Sequence, residues 1–383
     1  MRRSRAPRSF AFPKNRVPAP RKAINRNERM EKILVIKPSS LGDIVHALVV
    51  VETLRRRLGD GNVHVTWLVR DIFSGVLEAT PTVDRIIRYN RQGGIREIVR
   101  VGKQLRRERF DLVLDLQGLA RSAFWAWNAR APRKIGRGDG REGSRLVFRE
   151  LAPPPPKGFK HSHAIEILLQ FLKPLGFEPK ICGNVEFSRA ALSPEISALF
   201  VAGTTGAQDG WTRTSAAPTN ATGTVSKNDF PAPILVFPES RRAEKEWNGF
   251  RALTEMLLEK FPGVPVAWVG GNAALAPKDL RCAGAENFRS LLGKTTLGDV
   301  LALVARARLC VTNDSGPMHI AAASGVPVLG VFGPTSPELY GPFPPDSPKN
   351  RVVCAPDGDL KKLPADDVFR VAAELLSAFP PRA

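Results

Sequence analysis

This chain of 383 residues predicts an α/β protein built from two doubly wound domains facing one cleft. Three observations carry that reading. Strand-sized apolar runs alternate with helical patterns in both halves, and in each half one Ser/Asp/Gly-rich turn leads from a run into a helix. A Ser/Thr/Gly-rich stretch separates the halves. Alternation at these intervals gives parallel sheets with right-handed crossovers, whose ligands sit beyond the carboxyl ends of the strands.

Residues 1–30 hold ten Lys or Arg against Glu28 alone and show no periodicity, which reads as a disordered basic tail without the apolar centre of a secretory signal. The first domain is expected over residues 31–192. Ile33–Ile36 is a continuous apolar run, the mark of a buried parallel strand. Ser39, Ser40 and Asp43 then supply helix-start chemistry, and Ile44, Leu48, Val51, Leu54 and Leu58 recur at helical spacing. Further strands fit residues 63–69 and 111–115, and a helix runs from His163 towards Gly176. The Ser/Thr/Gly/Ala-rich stretch 193–229 reads as a connector. The second domain, 230–383, repeats the alternation, with strands at 234–237, 264–269, 309–312 and 326–332 and helices at 249–260, 297–307 and 317–323.

The hydrophobic share of 43% is enough for two cores, and no apolar run approaches the roughly 20 residues that span a bilayer. The net charge is +20, of which +9 lies in the first 30 residues. A basic surface favours anionic partners. Zinc-finger spacing, ribonucleoprotein aromatics and basic heptads are all missing from the sequence, so nucleic acid is not the expected partner. Cys182, Cys282, Cys310 and Cys354 are scattered without a Cys-x-x-Cys pair, which points to reduced thiols and neither a disulfide framework nor zinc. His161 and His163 lack further ligands nearby, so no metal site is expected.

The segment Leu309-Cys310-Val311-Thr312-Asn313-Asp314-Ser315-Gly316 runs from a strand into a helix that carries His319. Asp314 or Ser315 can cap that helix, and Gly316 lets the backbone approach a ligand closely. Free N–H groups and the helix dipole make such a terminus an anion site, although the same residues would also serve an ordinary capped turn.

Taken together, the motifs resemble glycosyltransferase family 9, the bacterial ADP-heptose:lipopolysaccharide heptosyltransferases. In the second half the resemblance rests on Leu291-Leu292-Gly293-Lys294-Thr295-Thr296-Leu297, on Thr312-Asn313-Asp314-Ser315-Gly316 with Met318-His319, and on Phe332-Gly333-Pro334-Thr335. In the first half it rests on Lys37-Pro38-Ser39-Ser40-Leu41-Gly42-Asp43 with His46, on Asp115-Leu116-Gln117-Gly118-Leu119 with Arg121-Ser122, and on His163-Ala164-Ile165-Glu166. The heptosyltransferase I branch is the nearest. The resemblance implies a GT-B fold of two Rossmann-like domains, a cytoplasmic enzyme at the inner face of the inner membrane, an inverting reaction, and neither cofactor nor metal. The implied partners are a nucleotide-sugar donor, ADP-heptose, a Kdo/lipid A inner-core acceptor, and an anionic membrane surface.

Roles follow from the same resemblance. Asp43 is the expected general base, with partial burial expected to raise its pKa. Lys245, two residues before Trp247, is expected at the donor phosphates, assisted by Ser240. Gly42, Asn313, Asp314, Ser315, Gly316 and His319 complete the expected donor site. Ser40, His46, Gln117, Arg121 and His163 are the expected acceptor residues. One departure stands out: after Val269-Gly270-Gly271 the family often has an acid that grips the donor ribose, where this chain has Asn272-Ala273-Ala274-Leu275. That gap leaves open another nucleotide sugar or glycan acceptor. A non-catalytic nucleotide-binding scaffold is a further alternative, opposed by the presence of both Asp43 and Lys245.

Overall fold

A computed structural model describes residues 31–201, 232–277, 280, 282 and 285–380; the basic tail and most of the expected connector lie outside them. Strands β1 (Glu31–Ile36), β2 (Val63–Arg70), β3 (Arg85–Tyr89), β4 (Leu112–Asp115), β5 (Arg133–Gly136) and β6 (Glu150–Leu151) form one parallel sheet in the order β3-β2-β1-β4-β5-β6. Strands β7 (Ile234–Phe237), β8 (Val266–Trp268), β9 (Phe288–Ser290), β10 (Leu309–Asn313), β11 (Val328–Phe332) and β12 (Asn350–Cys354) form a second, ordered β12-β11-β10-β7-β8-β9. Counted from its own first strand, the second sheet repeats the order of the first. In each, the strand order reverses between the first and fourth strands (β1 and β4, β7 and β10), and there the carboxyl ends leave a crevice.

The central strands are the apolar ones. Ile33–Ile36, Ile234–Phe237 and Leu309–Asn313 are buried throughout, because helices cover both faces. The first half carries α1 (Leu41–Leu58), α2 (Ser74–Glu78), α3 (Gly94–Arg107), α4 (Ala120–Asn128) and α5 (Ala164–Leu169). The rest of the helix expected before Gly176 is a 3₁₀ turn over 170–175 that ends with Gly176 at φ 85°, a left-handed conformation that suits glycine. Helices α7 (Phe250–Lys260), α8 (Leu297–Arg306), α9 (Gly316–Ala323), α10 (Pro337–Tyr340) and α11 (Ala365–Ala378) belong to the second half.

The connector begins differently from expectation. Its first residues form α6 (Pro194–Val201), where Ile196 is buried and Ser193 N donates to Asp299 Oδ1 on α8 at 2.6 Å. The preceding segment already touches both halves, since Val185 N donates to Ala323 O and Arg189 N to Ala79 O. One apolar core runs from β1 and α1 through Met318 and Ile320 of α9 into β10 and β11, so the two halves share an interior.

Candidate active site

α1 and α9 start at the two crevices and meet. A Cβ on Gly42 would lie 3.1 Å from His319 Cδ2, and one on Gly316 would lie 3.2 Å from Leu41 Cδ2. Glycine at both places lets the helix starts approach. Beside them opens a cleft of about 490 Å³, lined from the first half by Ser40, Leu41 and Gly42 and from the second by Glu239, Ser240, Lys245, Gly270, Gly271, Asp314, Ser315, Gly316 and His319 among others.

On the first-half side Asp43 stands half-exposed in the first turn of α1. Its Oδ2 accepts hydrogen bonds from Ser40 N at 3.1 Å and Ser40 Oγ at 2.7 Å. Lys37, buried at the end of β1, lies 4.0 Å from its other oxygen. Burial alone would raise the Asp43 pKa, but the Lys37 ammonium, the two Ser40 bonds and the Arg137 guanidinium together hold it below the usual value. The raised pKa expected from partial burial is thus reversed, because a buried cation sits next to the carboxylate.

Lys37 itself is pushed down by burial, against the pull of Asp43 and Asp115. Asp115 ends β4 fully buried, and burial raises its pKa to about 6, even though Gly118 N, Ser122 Oγ and Gln117 N all donate to it.

On the second-half side the Lys245 ammonium reaches Asp314 Oδ2 at 2.6 Å, and Thr335 Oγ1 donates to the same oxygen at 2.7 Å. Trp247 anchors that loop: it is buried, its N donates to Asn313 Oδ1 and its Nε1 to Leu363 O. The first turn of α9 turns Ser315 and Gly316 to the cleft. Burial drives the His319 pKa down to about 4, leaving a neutral imidazole at ordinary pH. Backbone N–H groups, one lysine and a neutral imidazole converge on one face, and a carboxylate stands across from them. That set can hold a diphosphate and take a proton from a hydroxyl.

Residues 98–370 match glycosyltransferase family 9 (heptosyltransferase). The chain belongs to that family. This glycosyltransferase is similar to the lipopolysaccharide heptosyltransferase 1 of Pseudomonas aeruginosa, 28% identical over 331 residues that cover 82% of this chain and 81% of the relative. It is also similar to the lipopolysaccharide core heptosyltransferase OpsX of Haemophilus influenzae, 24% identical over 82% of this chain and 83% of the relative. Among solved structures, E. coli heptosyltransferase WaaC with ADP superposes with a TM-score of 0.66 at 23% identity, over 90% of this chain and 99% of that one. The fold of this family 9 glycosyltransferase is GT-B, as the resemblance implied.

The cleft gathers Ser40, Gly42, Ser240, Lys245, Asp314, Ser315, Gly316 and His319 in its wall, with Asp43 bonded to Ser40 beside it. The other expected residues of the glycosyltransferase sit elsewhere. Asn313 is fully buried, and its amide is used to tie loops together, accepting from Trp247 N and donating to Pro238 O at 2.7 Å. It does not line the cleft. His163 caps α5, accepting from Ile165 N through Nδ1, so Nε2 carries the proton and donates to Gly341 O across the two halves. Both nitrogens are engaged, and the second bond ties the two halves together. His46 is buried behind the cleft, its ring centroid 4.3 Å from that of His319 and 5.2 Å from that of His163, and neither nitrogen has a partner. Gln117 follows β4 with its Oε1 buried and unbonded. Arg121 is exposed at the start of α4 and has no hydrogen bond or ion pair among the described residues. Arg137 is instead the arginine whose field reaches Asp43 and Lys37.

The motifs assigned no role to two further residues. Lys37 follows directly on a strand, but nothing local says that the fold buries it beside Asp43. Glu239 lines the cleft, and its Oε2 accepts from Gly271 N at 2.6 Å and Asn272 N at 3.2 Å. A carboxylate therefore does stand at the Gly270-Gly271 turn, supplied from 32 residues upstream. Among the described residues no three His, Cys, Asp or Glu side chains form a group that could hold a metal ion.

Proposed function

We propose that this enzyme transfers a heptose from ADP-heptose to a Kdo residue of the lipopolysaccharide inner core, with inversion at the anomeric carbon and without a metal ion. The observation that carries the proposal is the opposition of a carboxylate at the start of α1 to a lysine and a helix terminus at the start of α9. The relatives' names support the sugar and the acceptor, and E. coli heptosyltransferase WaaC has been solved with ADP-2-deoxy-2-fluoro heptose.

In this reading the donor diphosphate lies on the N–H groups of Ser315 and Gly316, with Lys245 and His319 at its oxygens. The acceptor hydroxyl lies against Asp43. Its oxygen attacks the anomeric carbon from the face opposite the diphosphate, and the bond from that carbon to the diphosphate oxygen breaks. The electron pair leaves with the diphosphate, where Lys245 and the helix terminus stabilise the growing charge. Asp43 takes the proton. Its low pKa makes it a weak base before attack, which suits transfer late in the reaction, when the bonding hydroxyl has become acidic. Glu239 accepts from the donor ribose hydroxyls and stands in for the acid missing after Gly271.

The test is transfer from ADP-heptose to Kdo-bearing lipid A by the intact enzyme and by Asp43→Asn. Turnover by the wild type, lowered at least about a hundredfold in the variant with the donor KM unchanged, supports the reaction and the base. A folded wild type without turnover overturns the substrate pair, and equal turnover by the variant overturns Asp43.

A further inference from the structure

We propose that the surface formed by α4, the adjoining row of α3 and the turn at 144–147 docks onto an anionic lipid bilayer. Five of the eight large apolar side chains exposed among the described residues fall there: Ile95, Val99, Phe124, Trp127 and Leu146. Trp127 is 59% exposed and Leu146 91%. Scattered exposed leucines need no explanation, but these gather. The Phe124 and Trp127 rings lie 6.4 Å apart and, with Val147, border a shallow recess of about 330 Å³.

Positive charge prevails around the patch. The Arg106 guanidinium lies 5.7 Å over the Trp127 ring, and Lys134 Nζ donates to Trp127 O. Between residues 120 and 149 the exposed cations are Arg121, Arg130, Arg141, Arg145 and Arg149, and Glu142 is the exposed acid. Glu142 borders the recess, and its Oε2 accepts from Ala120 N at the start of α4. Aromatic and aliphatic side chains ringed by arginines match a headgroup interface: the apolar tips enter it, while the guanidinium groups bind phosphates. A second copy of the chain would bring two arginine rims together, and like charges oppose that. Single-stranded RNA would use Phe124 and Trp127 for stacking but has no use for Leu146, Ile95 and Val99.

The patch also sits on the acceptor side of the cleft. Arg141 N and Ser144 Oγ both donate to Gly118 O, so the 141–147 turn hangs from the loop after β4, next to Asp115 and Lys37. The inference rests on the proposed glycolipid acceptor only for its purpose, since bilayer binding is measured without it.

The full chain is sedimented with vesicles of phosphatidylethanolamine and phosphatidylglycerol, and with phosphatidylcholine vesicles. Beside it run the triple variant Phe124→Ser, Trp127→Ser, Leu146→Ser and a full-length variant with every Lys and Arg of residues 1–30 changed to Gln. The wild type is expected to prefer the anionic vesicles. The triple variant is expected to partition at least about tenfold more weakly, with an unchanged Tm and unchanged transfer to a deacylated, water-soluble acceptor. The idea is overturned by a wild type that ignores phosphatidylglycerol, by a triple variant that binds as well as wild type, or by a loss that follows the tail alone. It is equally overturned if the triple mutation instead dissociates a solution dimer or releases bound oligonucleotide. Absent transfer in every variant with the expected partitioning would overturn the proposed reaction and leave the docking surface standing.

Discussion

The two halves use one strand order and one crevice but treat their reactive charge in opposite ways. After β1, the first half leaves Asp43 half-exposed, with its cation, Lys37, buried beneath it. After β7, the second half folds Lys245 inward onto Asp314, a pair in which the lysine side chain is 15% exposed and the aspartate 8%. The first carboxylate, although held by Ser40 and Lys37, keeps nearly half its surface open to a neutral hydroxyl, whereas the lysine is paired until a stronger anion competes for it. A diphosphate carries more charge than one carboxylate and also gains the α9 terminus, so it can draw Lys245 away from Asp314. Under the proposed reaction the acceptor side is thus ready in the free enzyme, and the donor side is completed by its ligand.

The sharpest way to break that contrast is Lys245→Met. Transfer is expected to fall about a hundredfold or more in kcat/KM, the scale for losing one group that stabilises a developing oxyanion. The same change leaves the mostly buried Asp314 carboxylate with Thr335 as its one remaining hydrogen-bond partner among the described residues, so Tm should drop as well. Adding Asp314→Asn should recover the Tm without recovering activity. If the double variant regained transfer, Lys245 would matter only as the counter-charge of Asp314.

A smaller effect is expected at Glu239. Glu239→Gln keeps the shape and an oxygen for Gly271 N while removing the charge. Charge-assisted hydrogen bonds contribute roughly 1.5–3 kcal/mol, so the donor KM should rise about tenfold or more with kcat nearly unchanged. An unaltered KM would remove Glu239 from ribose recognition and leave the Asn272–Leu275 gap unfilled.

The sequence made the crevice legible because its chemistry is local. A buried strand, a capping residue and a glycine within a few positions identify α1 and α9, and the same residues carry the family resemblance. The outer strands were not legible. Arg85–Tyr89 and Asn350–Cys354 at the sheet edges, and Arg133–Gly136 next to the edge strand β6, carry arginines on partly exposed residues, so no continuous apolar run marks them. Pairings between distant segments were hidden for a different reason. Lys245 and Asp314 are 69 residues apart and Glu239 and Gly271 are 32 apart, and only the closed fold joins them. A motif also does not say which way its side chains face: His46 and His163 stand in matching motifs yet lie inside the contact between halves.

That histidine contact offers the mildest test of how the halves hold together. His46, His163 and His319 come from α1, the start of α5 and α9, and burial lowers the pKa of each, with neighbouring imidazoles adding to it for His46 and His319. Lys37 adds to the field at His46, while Glu166 near His163 and Asp314 and Asp43 near His319 pull the other way. A base whose folded pKa is depressed contributes stability above its unfolded value near 6.5, and loses it as pH falls towards the folded values, about 4 for His319. Asp115 works against this, because its raised pKa of about 6 makes the fold relatively more stable towards acid. The net slope therefore does not isolate the histidines, but a variant does. His46→Leu removes the imidazole that has no hydrogen-bond partner, so Tm should fall less between pH 6.5 and 4.5 than in the wild type, with little change at pH 8. Parallel Tm curves for the two proteins would mean that His46 is never asked to accept a proton before the halves come apart.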